Sequence, residues 1–170
     1  NRIVKFNIYT GALDPKMVDL QEQIREHGMY PECFDVKTAQ LMLFGMLLMD
    51  LNDAAREVVT LSLSEVQRNR VVVQMDLADD LPPIFADRVQ LQQVIVNLLR
   101  NASDAMAGVH DRTRQMLIRT EHEQNGNVRL SVRDTGVGLG PNSLEKIFDS
   151  FYTTKEDGMG MGLPICRSII

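Results

Sequence analysis

After residue 50 the chain alternates between long stretches of helical periodicity and short stretches with strand character. The segment 50–69 begins at Asp50, a favoured N-cap residue, and has apolar residues at positions 51, 54, 55, 58, 59, 61 and 63. This spacing predicts an amphipathic helix. A turn at "LPP" precedes a second long helix, which we predict from about Asp87 and which includes "VIVNLLRNASDAM".

Three shorter segments have the composition or period of a strand. "RVVVQMDLA" (70–78) is rich in β-branched residues, while "RQMLIRTEHE" (114–123) and "NVRLSVRD" (127–134) alternate in polarity on either side of the turn "QNGN". Asn-Gly between two alternating segments is typical of a β-hairpin. Helices and strands in this order predict a layered α/β sandwich.

The first 50 residues are predicted to form a helical segment of their own. "DPKMVDLQEQIREHG" (14–28) has a proline at its first helical position and stops at a glycine, and "VKTAQLMLFGMLLM" (36–49) is apolar on almost every side. Residues 34–49 resemble helices of the carboxymuconolactone decarboxylase and alkylhydroperoxidase group. We therefore divide the chain into a helical segment 1–50, with an oligomerising role or a fusion origin, and a domain 51–170.

Charge and composition exclude several classes of function. A net charge of −5 over 170 residues provides no basic surface for nucleic acid or anionic lipid. The longest apolar run, Leu41–Met49, is too short to span a bilayer. Cys33 and Cys166 form no C-x-x-C motif, so neither a disulfide framework nor a zinc site is indicated. We expect a cytoplasmic protein without a membrane segment.

One face of the second predicted helix carries amides where an exposed helix usually carries charges. Gln93, Asn97 and Asn101 follow one another at intervals of four, and Asp104 comes three residues later. Asn is a poor helix former, so a merely solvated face would favour Glu, Lys or Arg. An amide offers an oxygen to a hard cation and an NH2 group to a phosphate. The stripe therefore favours a binding site.

A second candidate lies at "RDTGVGLG", where the last predicted strand ends in Asp134 and Gly136 and Gly138 follow. The carboxylate could accept a hydrogen bond from an exocyclic amine, and the glycines would let the backbone come close. A tight turn with an Asx hydrogen bond is the structural alternative. The glycines lack the G-x-G-x-x-G spacing of a Rossmann fold, and the chain has no G-x-x-x-x-G-K-[ST] phosphate loop.

A third candidate, "FYTTKEDGMGMGLP" (151–164), places glycines at positions 158, 160 and 162. Glycine weakens any regular element that contains it, because it loses the most conformational entropy on folding. A chain reversal, close approach to a ligand or a phosphate cradle would offset this cost.

Four segments in order resemble the ATP-binding domain of sensor histidine kinases: "NLLRNA" (97–102), "DTGVG" (134–138), "FDSFYTTK" (148–155) and "GMGMGL" (158–163). They match the N, G1, F and G2 boxes of a family that also includes DNA gyrase B, HSP90 and the MutL ATPases. The "TTK…GMGMGL" form is most similar to the nitrogen-regulation and oxygen-sensing kinases. The resemblance implies an α/β (α+β) two-layer sandwich of the Bergerat type, with a mixed sheet and helices on one face. The family's further C-terminal strands would be missing after Ile170, leaving a sheet edge exposed.

The resemblance implies roles in cofactor binding for the first two candidates. Asn101 would be the Mg2+ ligand that holds the metal against the triphosphate of ATP, with Asn97 assisting and Asp104 in the same site. Asp134 would read the adenine amino group, and the glycines at 136 and 138 would let the loop approach the base.

The resemblance also assigns the glycine-rich segment. Lys155 would contact phosphate and share the catalytic role with Asn97 and Asn101, while Phe148 and Phe151 would anchor a lid over the nucleotide. The glycines would form the hinge of the lid and the phosphate-facing start of a helix. Cofactor-binding residues in this segment would be Phe151, Thr154, Lys155, Gly158, Gly160, Gly162 and Leu163.

The chain departs from the family at the phosphoryl acceptor. The family keeps an acceptor histidine on a dimerisation helix, followed by Glu, and neither His27, His110 nor His122 stands in such a box. The implied partners are therefore a separate dimerisation domain, a response regulator and a second copy in a homodimer.

Two alternatives to a kinase remain. One is a hydrolytic ATPase of the gyrase, HSP90 or MutL type, in which a glutamate general base stands where this chain has Asn97; an amide cannot act as that base. The other is a non-catalytic nucleotide-binding or interaction module, which the missing acceptor histidine would favour and the intact boxes oppose.

Overall fold

The computed structural model describes residues 2–8, 46–124, 126–140, 146–155 and 158–170. Within these ranges the strands are β1 (Arg2–Ile8), β2 (Met46–Met49), β3 (Val72–Asp76), β4 (Ile84–Asp87), β5 (Gln115–His122) and β6 (Val128–Asp134). The helices are α1 (Leu51–Arg68), α2 (Arg88–Met106) and α3 (Gly162–Ile169). In the described part of the chain, no helix combines the length and apolar character needed to cross a bilayer.

Both long helices begin where the sequence predicts, at an aspartate with extended backbone. The Asp50 carboxylate accepts from the backbone N–H of Asn52 at 2.6 Å, and that of Asp87 accepts from Val89 at 2.8 Å. Such caps satisfy amide groups that have no partner within the helix.

The predicted hairpin forms the centre of a mixed four-stranded sheet of order β1-β6-β5-β3. β5 and β6 pair antiparallel from Met116↔Asp134 to His122↔Val128, and β3 pairs parallel to β5. The turn between β5 and β6 includes Gly126, whose φ of +85° is one that other residues rarely adopt.

The two faces of this sheet differ as a two-layer sandwich requires. Met116 and Ile118 on β5 and Leu130 on β6 are buried in one core with the apolar sides of α1 and α2. The other face carries ion pairs, including one between Arg119 and Asp76 at 2.9 Å. Helices therefore cover one face, and the expected fold class is confirmed.

Two short strands were not expected from the sequence. The prediction of a helix through residue 49 is wrong at its end, because Met46–Met49 forms β2 and pairs antiparallel with β4. An apolar run of this length fits a buried strand as well as a buried helix, and only the partner strand decides. The rest of that predicted helix, and the helix predicted at 14–28, lie outside the described residues.

β1 also departs from a wholly helical N-terminal segment. It pairs antiparallel with β6 along its whole length, from Arg2↔Asp134 to Ile8↔Val128. β6 is therefore paired on both sides, so an exposed sheet edge does not occur at this strand. Whether residues 1–50 form a segment of separate origin stays a prediction.

A buried polar network fixes α1 on the sheet. Asn52 donates through Nδ2 to the Ala78 carbonyl at 2.8 Å, and its Oδ1 accepts from the Thr120 hydroxyl at 2.8 Å. The same hydroxyl accepts from the Ala78 backbone N–H at 3.0 Å. Thr120 and Asn52 are both buried and Ala78 is half-buried, so the Thr120 hydroxyl oxygen satisfies one buried and one half-buried polar group.

Replacing Thr120 with valine is expected to lower the free energy of unfolding by about 3 kcal/mol. The change keeps the side-chain shape but leaves the buried Asn52 amide oxygen and the half-buried Ala78 N–H without their partner. A buried polar group without a partner costs about 1–3 kcal/mol. Urea denaturation measures the effect. The matched control is Thr60→Val, which removes an exposed hydroxyl bonded within α1 and should cost less than about 0.5 kcal/mol. Equal losses in the two variants would contradict the network's role.

Candidate functional site

The polar stripe on α2 lies beside a continuous buried face of the same helix. Asn97, Asn101 and Asp104 are half-buried. The buried face that seats the helix on the sheet consists of Val94, Ile95, Leu98, Leu99 and Ala102. The helix is therefore held from one side while its amides and carboxylate line an accessible surface.

Lys155 is brought to this stripe from a distant part of the chain. Its ammonium Nζ lies 3.1 Å from Asn101 Oδ1 and 2.5 Å from Asp104 Oδ2. The side chains of Lys155 and Asp104 are 40% and 36% exposed, so water screens the pair and its net stabilisation is small. The position between the Asn101 amide oxygen and the Asp104 carboxylate therefore favours a positive charge.

The start of α3 completes this end of the site. A Cβ atom at Gly162 would lie 3.9 Å from both Asn97 and Asn101, which places the first turn of α3 against the stripe. The N-cap residue, Met161, makes no side-chain hydrogen bond to the helix. The first turn of α3 therefore presents backbone N–H groups that no side-chain cap satisfies, a common setting for anions.

Cys166, one turn into α3, holds Asn97 in place. The Asn97 amide donates through Nδ2 to Cys166 Sγ at 3.7 Å, and the thiol in turn lies 3.9 Å from the Val94 carbonyl. Burial raises the pKa of the Cys166 thiol, although the hydrogen bond from Asn97 lowers it. The sulfur is thus a neutral, buried contact between the helices.

The loop after β6 forms the other end of the site. Asp134 is 3% exposed, and its Oδ1 accepts from the Gly136 backbone N–H at 2.8 Å. Val137 donates its backbone N–H to the Ala105 carbonyl at 3.1 Å. A Cβ atom at Gly136 would lie 2.5 Å from that carbonyl oxygen, so only glycine permits this approach. Gly138 has a φ of +78°. The Asx hydrogen bond named as the structural alternative therefore occurs, and Gly136 lets the loop come close to α2. Its approach to a base stays a prediction.

Within the glycine-rich segment, the glycines at 158 and 160 lie against the residues that precede them. Phe151 donates its backbone N–H to the Gly160 carbonyl at 3.2 Å. Gly160 has a φ of +66°, and a Cβ atom there would lie 2.5 Å from the Phe151 carbonyl carbon. Gly158 likewise lies against the Thr153 side chain. Close backbone approach within the segment thus accounts for these two glycines, while Gly162 faces the stripe.

The remaining predicted site residues differ in how far they are exposed. Phe148 is half-buried with the Arg167 guanidinium 5.7 Å from its ring centroid, whereas Phe151 is 75% exposed. Thr154 is exposed. Leu163 is buried in the core, so any contact of this residue with a ligand would come from its backbone amide.

Arg112 is a residue at the site that the sequence did not indicate. Its guanidinium donates through Nε to the Thr135 carbonyl at 2.9 Å and through a terminal nitrogen to the Gly136 carbonyl at 3.1 Å. Cys166 was likewise noted only for what its spacing excludes. Neither residue stands at a fixed spacing from the four boxes in the sequence, so only the fold shows that both lie at the candidate site.

A family model agrees with the resemblance. Residues 86–170 match the family described as histidine kinase-, DNA gyrase B-, and HSP90-like ATPase. This stretch runs from the end of β4 through α3, and it contains the α2 stripe, the loop after β6 and the glycine-rich segment.

Curated relatives are sensor kinases of much greater length. The chain is 36% identical over 121 residues to sensor histidine kinase TmoS of Ectopseudomonas mendocina, covering 71% of this chain and 12% of that protein. It is 37% identical over 120 residues to sensor protein FixL of Bradyrhizobium diazoefficiens, covering 71% and 23%. The chain thus spans less than a quarter of the length of these relatives.

Solved structures agree in fold and sequence. The nucleotide-free catalytic domain of histidine kinase ThkA superposes with a TM-score of 0.64 at 33% identity, covering 74% of this chain and 79% of that one. Full-length ShkA in complex with AMPPNP gives 0.64 at 28% identity, covering 73% and 25%. The chain therefore belongs to the histidine kinase-, DNA gyrase B- and HSP90-like ATPase family. Within that family it groups with the catalytic domains of sensor histidine kinases.

Proposed function

We propose that the chain binds Mg-ATP between the α2 stripe, the loop after β6 and the glycine-rich segment, and presents the γ-phosphoryl group to a histidine on a separate dimerisation domain. The observation that carries the proposal is the position of Lys155. Its ammonium lies on Asn101 and Asp104, next to residues at the start of α3 whose N–H groups suit phosphate. Phosphoryl transfer depends mainly on positioning and on neutralising charge.

The adenine end of the proposed site is the loop after β6. Asp134 is buried at the end of β6 with one oxygen on the Gly136 N–H. Its carboxylate is proposed to accept the adenine amino group as well. A buried carboxylate that hydrogen-bonds an amine selects against a base with an oxygen at that ring position, because the two oxygen atoms repel each other.

The metal end of the site fits Mg2+ by the chemistry of its oxygen atoms. Mg2+ prefers oxygen ligands, and in phosphoryl-transfer sites one or two side chains suffice because phosphates and water supply the rest. Asn101 Oδ1 would be the ligand, and the Asp104 carboxylate would lie near it; both oxygens already face a cation in this structure. When bound, the metal neutralises charge on the phosphates.

The proposal gives each of the following site residues a defined task. Lys155 leaves Asn101 and Asp104 and pairs with a phosphate oxygen, while Asn97, held by Cys166, orients the stripe toward the start of α3. Phe148 and Phe151 anchor the segment that covers the nucleotide. The Asn97 amide cannot remove a proton from water, which favours transfer to histidine over the hydrolytic alternative.

The acceptor histidine is proposed to come from outside the domain. His122 is the last residue of β5 and pairs with Val128, whereas Met116 near the other end of β5 pairs with Asp134. Met116 and His122 are six positions apart along the strand, a distance of about 20 Å at the rise of a β-strand. His110 is exposed in the loop before β5, and its Nδ1 lies 3.5 Å from an Arg114 nitrogen. These positions support an acceptor on another domain.

The proposed partners follow from the relatives rather than from the chain itself. A separate dimerisation domain is proposed because the curated sensor proteins are several times longer than this chain. A homodimeric assembly is proposed from the family resemblance, and a cytoplasmic location because the two cysteines indicate no disulfide framework. A response regulator is proposed as the onward acceptor, since ThkA has been solved in complex with the response regulator TrrA.

Isothermal titration with ATP, with and without Mg2+, tests the proposal. We expect binding that Mg2+ strengthens, and incubation of the chain alone with labelled ATP should leave no acid-labile phosphate on histidine. Absence of ATP binding in the presence of Mg2+ would reject the proposal. Acid-labile label on His110, on His122 or on His27, which lies outside the described residues, would reject the external acceptor.

Replacing Asp134 with asparagine is expected to lower the preference for ATP over GTP about tenfold. The amide still accepts one hydrogen bond but loses the charge that strengthens it, and charge-assisted bonds exceed neutral ones by about 1–1.5 kcal/mol. Competition titrations with both nucleotides measure the ratio. Asp76→Asn, on the outer face of the sheet, is the matched control and should leave the ratio unchanged. An unaltered ratio in Asp134→Asn would show that another group reads the base.

A further inference from the structure

We propose that Arg112 is a positioning residue for base recognition: its guanidinium sets the orientation of the loop from Asp134 to Gly138. The inference rests on the proposed function of Asp134 as the group that reads adenine. Arg112 would not touch the nucleotide. It acts through the two peptide groups that immediately follow the carboxylate.

The contact of Arg112 with the loop is bidentate. Nε donates to the Thr135 carbonyl at 2.9 Å, and a terminal nitrogen donates to the Gly136 carbonyl at 3.1 Å. Two parallel N–H groups on a rigid plane match two consecutive carbonyl oxygens, whereas a lysine ammonium is a single point charge on a flexible stem. The Asp111 carboxylate lies 3.5 Å from the other terminal nitrogen, so Arg112 is also oriented from its own loop.

The N–H side of the same peptides is held by other elements. Thr135 donates to the Gln115 carbonyl at 3.1 Å, Gly136 to Asp134 Oδ1 at 2.8 Å and Val137 to the Ala105 carbonyl at 3.1 Å. These bonds fix the loop to β5, to its own carboxylate and to α2. Arg112 closes the remaining side, because it occupies the carbonyls that point away from those partners.

Loss of Arg112 would therefore leave the fold in place and loosen one loop. The Arg112 side chain is 49% exposed, so its removal creates no core cavity. The Thr135 and Gly136 peptides could then rotate, and the Gly136 N–H with them. That N–H donates a hydrogen bond that helps to orient Asp134, so the carboxylate would be held less firmly in its direction toward a base.

A neighbouring arginine of the same loop provides a matched control. Arg114 donates to the carbonyls of Asn69, Ala107 and Val109 at 2.9–3.0 Å. It thus binds the chain just beyond the ends of α1 and α2, and among the described residues it makes no hydrogen bond to the loop after β6. An Arg114→Ala variant should lower the melting temperature without affecting base selectivity.

The experiment measures dissociation constants for ATP, ADP and GTP in Arg112→Ala, Arg112→Lys, Arg114→Ala and Asp134→Asn. Arg112→Ala is expected to weaken ATP binding about tenfold and GTP binding little. A tenfold change corresponds to about 1.4 kcal/mol, which is the low end for a hydrogen bond to a charged group. Arg112→Lys should lose nearly as much, because a lysine cannot span both carbonyls. The ratio of ATP to ADP affinity, which reports the phosphate end, should stay unchanged.

The outcomes separate this inference from the function on which it rests. Reduced ATP:GTP selectivity in Asp134→Asn, Arg112→Ala and Arg112→Lys, with parental selectivity in Arg114→Ala, supports it. Reduced selectivity in Asp134→Asn alone overturns the role of Arg112 and leaves the proposed function intact. Parental selectivity in all four variants rejects base reading by Asp134 and the inference with it. Should Arg112→Ala fail to fold, Arg112→Lys decides by the same ratio.

Discussion

Replacing Gly136 with alanine is expected to weaken ATP binding about 100-fold while the protein stays folded. The added methyl group would lie 2.5 Å from the Ala105 carbonyl oxygen and 2.7 Å from Asp134 Oδ1. The first neighbour is backbone at the end of α2 and cannot rotate away. The loop must therefore move, and overpacking of this kind costs about 1–3 kcal/mol. Loss of a charge-assisted hydrogen bond by Asp134 would account for a further 1.5–3 kcal/mol or so.

The matched control for Gly136→Ala is Gly108→Ala. Gly108 follows α2 in an exposed loop, and a Cβ atom there would meet nothing within 4 Å. Calorimetric titration with ATP gives the affinities, and circular dichroism confirms that both variants fold. We expect parental affinity in Gly108→Ala. ATP binding by Gly136→Ala at parental strength would mean that the loop after β6 does not contact the nucleotide.

The helices and the hairpin could be predicted because local chemistry decides them. Asp50 and Asp87 cap the two long helices where the sequence places them, and the two alternating strands on either side of Gly126 pair as predicted. β2 and β4 could not be predicted in this way. Each has four residues, too few for a period to show, and each exists because the other pairs with it.

The candidate site likewise combines features that the sequence predicts with contacts that only the fold shows. The polar stripe of Asn97 and Asn101 could be predicted because amides are unfavourable within an apolar helix, while their part in binding stays a prediction. The contact of Lys155 with Asp104 joins residues 51 positions apart, and no spacing rule encodes it. Arg112 is one of two arginines in the loop between α2 and β5. Its role depends on which carbonyls the fold brings within reach, and those belong to residues 23 and 24 positions later.

Lys155 and Mg2+ are expected to use the same oxygen atoms of α2 at different stages. In this structure Asn101 Oδ1 and Asp104 Oδ2 receive the Lys155 ammonium. Both side chains of the ion pair are about a third or more exposed, so the pair is easily exchanged. Arrival of a triphosphate would give Lys155 a stronger anionic partner and leave the two oxygens to the metal. The exchange predicts that the metal's effect on binding depends on Asn101 and not on Lys155.

Replacing Asn101 with alanine is expected to abolish the Mg2+ enhancement of ATP binding, a loss of about 100-fold. Changes to groups that merely support a metal ligand already cost about 10–100-fold in metal affinity, so loss of a ligand should reach the upper end. Metal-free ATP affinity should stay at the parental value, because the adenine end of the site is unchanged. Titrations with and without Mg2+ measure the enhancement directly. The matched control is Gln93→Ala, which removes an exposed amide two turns earlier on α2. This variant should retain the full Mg2+ enhancement.

The companion variant Lys155→Met separates the metal from the charge. Methionine keeps the length of the side chain but cannot pair with phosphate, so we expect the preference for ATP over ADP to fall while Mg2+ still strengthens binding. Asn101→Ala should show the reverse pattern, with its Mg2+ enhancement lost and its metal-free binding intact. If Lys155→Met instead loses the Mg2+ enhancement and Asn101→Ala keeps it, the two residues have the opposite roles. The contact between Lys155 and Asn101 would then be no guide to the position of the metal.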